Sequence, residues 1–175
     1  MSAGSKYTDR HRREAVAQYL VLGTGQPEIE SALTALGAEY PDRLAVRIGY
    51  DEKLAHRIEA GCDLYVMPSR YEPCGLNQMY SLRYGTPPIV RATGGLDDTI
   101  TDFDAASSTG TGFKFGPHSA SALGETWRRA LLAYFSGEAF QALVRRGMAQ
   151  DFSWAASARR YASVYRQLAF SSPSE

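Results

Sequence analysis

Two rhythms of apolar residues alternate along the first two thirds of this chain. Short strand-like runs such as Tyr19-Leu20-Val21-Leu22 and Leu44-Ala45-Val46-Arg47-Ile48 give way to stretches with helical spacing. Gly23-Thr24-Gly25 ends the first run, and Pro27 opens a helix whose Ile29, Leu33 and Leu36 form a stripe stopping at Gly37. Asp51 is placed to cap a second helix with Leu54, Ala55 and Ile58 on one face and Gly61 at its end. Asp63-Leu64-Tyr65-Val66-Met67 is a third strand stopped by Pro68, and a helix over 76–84 ends at Gly85. Pro88-Ile89-Val90-Arg91-Ala92 makes a fourth strand followed by the turn Thr93-Gly94-Gly95, and Gly112-Phe113-Lys114-Phe115 a fifth.

Beyond the fifth strand the pattern is helical. Ser119 or Ser121 caps a helix reaching Phe135, Gly137 separates it from the next, and Ser153 caps a last helix over 155–168. Tyr161 and Tyr165, four residues apart on that helix, read as core, and 171–175 as a frayed tail. Strands alternating with helices imply an α/β fold, a parallel sheet covered on both faces. The expected division is a leader over 1–18, a Rossmann-like domain over 19–150, and a C-terminal helix and tail over 151–175.

Composition narrows the function classes. Nineteen basic residues balance nineteen acidic ones, so nothing points to a nucleic acid or an anionic membrane surface. The opening Met-Ser-Ala-Gly-Ser-Lys is polar, no apolar run approaches a bilayer span, and a cytoplasmic location is expected. Cys62 and Cys74 have no metal-ligand spacing and read as reduced thiols; no metal and no cofactor is expected.

In an open parallel sheet, ligands bind beyond the carboxyl ends of the strands, near helix N-termini. Gly23-Thr24-Gly25 lies in such a place, but Glu28 stands where a dinucleotide fingerprint wants a third glycine. It reads as a tight turn, which weakens a nicotinamide-dehydrogenase assignment. The segment 68–82 carries more: Gly75 permits close backbone approach, and the helix behind it offers free N–H groups to phosphate oxygens. Glu72 is then either a carboxylate beside a phosphate-friendly pocket or a charge capping that helix. Arg70 is a sugar or phosphate contact or a solvated loop charge. Cys74 has no neighbouring histidine to activate it, and His11, His56 and His118 are scattered and read as surface residues.

The run Pro68-Ser69-Arg70-Tyr71-Glu72-Pro73-Cys74-Gly75-Leu76-Asn77-Gln78 resembles the active-site signature of bacterial glycogen synthases and the related starch synthases. The resemblance continues in register through 84–99, Gly49-Tyr50-Asp51-Glu52, 110–115 and Asp151-Phe152-Ser153-Trp154, and runs from about Leu20 to Leu168. It implies the C-terminal half of a two-domain GT-B glycosyltransferase that moves glucose, with retention, from ADP-glucose to the non-reducing end of an α-1,4-glucan. By the same resemblance Glu72 matches the catalytic acidic residue at the donor glucose. Cys74, Gly75, Leu76 and Asn77 match the turn holding sugar and diphosphate. Tyr50 matches an aromatic that stacks on adenine, and Thr93, Gly94 and Gly95 lie near the same cleft. Tyr80 stands where related retaining transferases place a second glutamate, which favours the narrower family.

The resemblance also implies parts not seen here: an N-terminal synthase domain, and the first strand of the C-terminal domain with the Arg and Lys that clamp the donor phosphates. That strand is expected between the runs 19–22 and 64–67, with 8–18 the remnant of the helix after it. Without it, exposed edges favour self-association. The fragment is expected to be inactive alone, and the rival reading is a non-catalytic module that keeps ADP-glucose affinity.

Overall fold

A computed structural model of the chain describes residues 18–170; the expected helix over 8–18, all but Gln18, and the tail over 171–175 lie outside the described residues. Strand β1 (Tyr19–Gly23) leads through α1 (Pro27–Glu39) to β2 (Leu44–Ile48), which pairs with it in parallel, Tyr19 opposite Leu44 and Gly23 opposite Ile48. Helix α2 (Glu52–Gly61) follows, with the Asp51 carboxylate accepting from the Leu54 N–H at 2.9 Å as the spacing requires. Then come β3 (Tyr65–Met67), α3 (Asn77–Tyr84), β4 (Pro88–Arg91), α4 (Gly94–Thr99) and β5 (Phe113–Phe115). The last helices are α5 (Ala120–Phe135), α6 (Glu138–Met148) and α7 (Trp154–Phe170). Ser119 and Ser153 supply N-cap oxygens to Ala122 and Ala156.

The sheet is in two parallel ladders, β1-β2 and β3-β4-β5. No backbone pairing joins β1 to β3. Within the second ladder β4 is central, and its alternation divides the core: Ile89 packs with Phe113, Phe115, Ala130, Tyr134, Phe140 and Leu143, while Val90 packs with Leu82, Leu96 and Ile100. Pro88 is tolerated in this central strand because it is the first residue.

Among the described residues every buried apolar side chain lies between Leu82 and Leu143. The part before it is thinly covered. The α1 stripe is correctly spaced but unburied, Ile29 being 53% and Leu36 44% exposed, since α1 rests on β2 at the side of the short ladder. One aromatic contact, Tyr19 against Trp127 at 5.2 Å between ring centroids, ties β1 to α5.

Two sequence expectations are corrected. Tyr161 and Tyr165 are not core; they are 64% and 65% exposed and face each other on α7, which leaves Trp154, Val164 and Leu168 exposed too. Helical spacing defines a face but not what covers it. The glycines at 94–95 are not only a turn but the first turn of α4, a helix too short for periodicity to reveal. No described helix is long and apolar enough to cross a membrane.

Glu59 on α2 is 3% exposed, and its Oε2 lacks a hydrogen-bond partner, with His56 Nδ1 3.9 Å away. Burial raises its pKa, and His56 opposes the shift. A carboxyl that holds its proton to higher pH when folded loses stability as pH rises from about 4.3 through its folded pKa. Glu59→Gln removes that loss. Thermal melts should show the variant more stable than wild type at pH 7, with the advantage shrinking toward pH 4; an equal difference at both would refute the assignment.

Candidate functional site

The site is built where β3 and β4, adjacent and parallel, end side by side. Pro68 stops β3 after Met67, and the chain runs through a loop to Asn77, where α3 begins; beyond Arg91 the chain turns at Thr93 into α4. The two loops are in direct backbone contact. The Gly95 N–H donates to the Glu72 carbonyl at 3.0 Å. A Cβ on Gly94 would lie 2.2 Å from that same carbonyl oxygen, and one on Gly95 would lie 1.9 Å from the Cys74 carbonyl oxygen. Gly94 also has φ +47, so both glycines are required, one for approach and backbone conformation, the other for approach alone.

Glu72 itself is half-buried, and among the described residues its carboxylate has one hydrogen-bond partner, the Ser69 hydroxyl at 3.4 Å. It is not a helix cap. Leu76, four residues after Glu72, holds the cap position of α3, and no side-chain hydrogen bond caps that terminus. The α3 N-terminus therefore presents uncapped N–H groups beside Glu72, an arrangement suited to an anionic group.

The other sequence candidates are placed as follows. Cys74 is exposed and Cys62 partly buried, and neither is in a disulfide among the described residues. Gly75 has φ +65, which a side chain rarely adopts. Leu76 is 54% exposed, and Asn77 Nδ2 donates to the Tyr65 hydroxyl at 3.2 Å. Arg70 is exposed; its carbonyl, not its guanidinium, is engaged, by Arg91. Thr93 caps α4 by position without a side-chain bond. Tyr50 follows β2 in the other ladder, 88% exposed and without a ring or hydrogen-bond partner among the described residues. The turn after β1 is closed to phosphate in this arrangement, since the Gly25 N–H donates to the Glu30 carboxylate at 2.7 Å. No cluster of three or more His, Cys, Asp or Glu placed to hold a metal occurs among the described residues.

Two residues quoted in the motifs gain a role only from the structure. Arg91, at the end of β4, donates through Nε to the Ser69 carbonyl at 2.8 Å and through Nη2 to that of Arg70. Gln78, fully buried, donates through Nε2 to the carbonyls of Cys74 and Gly75, each at 3.1 Å. The loop is thus gripped at both ends by its carbonyls, leaving its N–H groups and the Glu72 carboxylate to face outward chemistry. The only sequence sign was a buried-side polar residue just inside a helix start.

The profile of the family described as "Glycosyl transferases group 1" matches residues 11–142. The chain is 59% identical over 152 residues to a glycogen synthase of Anaeromyxobacter sp. (strain Fw109-5), covering 87% of this chain and 32% of that protein. It is 54% identical over 159 residues to a glycogen synthase of Koribacter versatilis (strain Ellin345), covering 91% and 33%. The chain therefore spans about a third of the length of these curated relatives. Among solved structures, the catalytic domain of starch synthase IV from Arabidopsis thaliana bound to ADP and acarbose superposes with a TM-score of 0.73 at 27% identity, covering 91% of this chain and 42% of that one. The matched profile, the two parallel ladders and the paired loops at the ends of β3 and β4 agree, and the chain belongs to the group 1 glycosyl transferases.

Proposed function

We propose that this chain is the nucleotide-sugar-binding part of an ADP-glucose-dependent glycogen synthase. The observation that carries this is the fused loop pair, in which the Glu72 backbone is hydrogen-bonded to Gly95 while the α3 N-terminus beside it stays uncapped. The names of the relatives and the ADP-bound neighbour support the choice of donor.

In this reading the diphosphate lies against the N–H groups of the turn Cys74, Gly75, Leu76 and Asn77, with Arg70 and the loop Thr93-Gly94-Gly95 bordering it. Tyr50, exposed at the end of β2, stacks on adenine. The bond between the glucose anomeric carbon and the diphosphate oxygen breaks, ADP leaves with the electron pair, and the acceptor hydroxyl of an α-1,4-glucan forms the new bond on the same face, its proton passing to the departing diphosphate oxygen. Positive charge develops on the sugar, and the Glu72 carboxylate favours it electrostatically. The helix terminus contributes about 0.3–1 kcal/mol toward holding the departing phosphate, so it positions the group rather than binding it alone.

In this reading the partner is the N-terminal synthase domain that the resemblance implies, and the site of action is cytoplasmic. The break between β1 and β3 is where the resemblance places a further strand, and the exposed apolar face of α7 is a surface such a partner would cover.

The test is a titration. The Arg and Lys that the resemblance assigns to a strand not seen among these residues are each worth about 1.5–3 kcal/mol as phosphate clamps. This chain should therefore bind ADP roughly a hundred- to ten-thousand-fold more weakly than a complete synthase. It should not bind NAD, and it should incorporate no glucose from labelled ADP-glucose, because positioning across a two-domain cleft supplies much of the barrier reduction and these residues form one wall of it. Preference for NAD over ADP would overturn the reading.

A further inference from the structure

We propose that Gln78 is a positioning residue, the latch that holds the Glu72 loop and the Gly94-Gly95 turn as one rigid unit; this rests on the role proposed for that loop. The two loops come from different strands, and nothing covalent near the site joins them. Gln78 closes a ring of hydrogen bonds between them. Its Nε2 lies 3.1 Å from the Cys74 and Gly75 carbonyls and from the Thr99 Oγ1, its two hydrogens shared among the three acceptors. Thr99 Oγ1 in turn donates to the Gly95 carbonyl at 2.5 Å. The Gly95 N–H completes the ring by donating to the Glu72 carbonyl at 3.0 Å.

Two features set Gln78 apart from a packing residue. It is 0% exposed, yet its Oε1 has no hydrogen-bond partner, so an apolar side chain of the same shape would remove an orphaned acceptor from the core. Gly75 is matched to it: at φ +65, a Cβ there would lie 2.5 Å from the Gln78 Oε1. The amide is held at a cost to stability in the one place where it ties both loops of the site together. Glu72 is thereby fixed through its main chain, and its carboxylate is left to the substrate.

Hydrogen exchange separates this role from plain packing. In Gln78→Met, the Gly95 amide of this chain should exchange about tenfold faster or more, while the Ile89 and Val90 amides of β4 keep their wild-type rates. Thr99→Val, which cuts the ring at its middle link, should give the same selective acceleration. In a complete synthase carrying this segment, Gln78→Met should lower kcat about tenfold or more, with the glucan KM within about twofold. Unchanged Gly95 exchange, or acceleration shared equally by β4, would overturn the proposal. So would faster Gly95 exchange with an unaltered kcat. If the unaltered complete enzyme fails to transfer glucose, the functional reading falls, and the exchange rates still decide whether Gln78 is the latch.

Discussion

Replacing Glu72 with Gln in a complete synthase carrying this segment is expected to lower turnover at least about a hundredfold, equivalent to roughly 2.7 kcal/mol of barrier. The donor KM and the melting temperature should change little. The reasoning is structural as much as chemical. Glu72 is fixed by its backbone through Gly95, and among the described residues its carboxylate has only the Ser69 hydroxyl as a hydrogen-bond partner. A glutamine keeps the shape and that hydrogen bond, so the fold has little reason to respond. What it loses is the negative charge beside a sugar that becomes cationic as its bond to the diphosphate stretches. An interaction made chiefly in the transition state lowers kcat and kcat/KM together. If turnover survives while the protein melts much earlier, Glu72 is structural and the assignment is wrong.

Gly95→Ala should be the most damaging single-methyl change in the molecule. The new Cβ would lie 1.9 Å from the Cys74 carbonyl oxygen, 2.5 Å from its carbon and 2.6 Å from the Cys74 Cα. All three are backbone atoms, so no side-chain rotation relieves the contact; one loop must move off the other. The Gly95–Glu72 hydrogen bond breaks with that movement, and Gly95 is buried, so water does not readily replace it. A cost of about 4 kcal/mol or more is expected, which places it among exceptional substitutions. For a chain of this size that corresponds to a fall in melting temperature of about 8–16 °C. ADP binding should be lost along with it. Gly116→Ala is the control, since a Cβ there meets nothing within 4 Å. A Gly95→Ala protein that melts within about 2 °C of wild type would show that the two loops do not meet as described.

Strand and helix identities were largely legible because they are properties of local spacing. The strand at Ile89 and Val90, the stop at Pro68, the cap at Asp51 and the helix end at Gly85 each act within a few residues, and each appears where it was expected. The loop over 68–78 was likewise recognisable, because its glycine and acidic residue stand at fixed offsets from a strand end. Which reading of Glu72 is right was not legible. Cap and free carboxylate share the same sequence, and only the observed helix start at Asn77 separates them.

Burial was decided by tertiary structure alone. The stripes on α1 and α7 have the spacing of core-facing helices, yet Ile29, Leu36, Tyr161 and Tyr165 remain exposed. Periodicity reports that a helix has an apolar face; it carries no information about whether a partner is present to cover it. The grip of Arg91 and Gln78 on the loop belongs to the same class, since it depends on carbonyl groups, which every residue possesses and no sequence distinguishes. What this sequence determined by itself were the contacts a few residues long: the turns, the caps and the alternation of strand and helix. Contacts between segments far apart in the chain, Gly95 against Cys74 or Gln78 against Thr99, became determinate only when parallel strands brought their ends together.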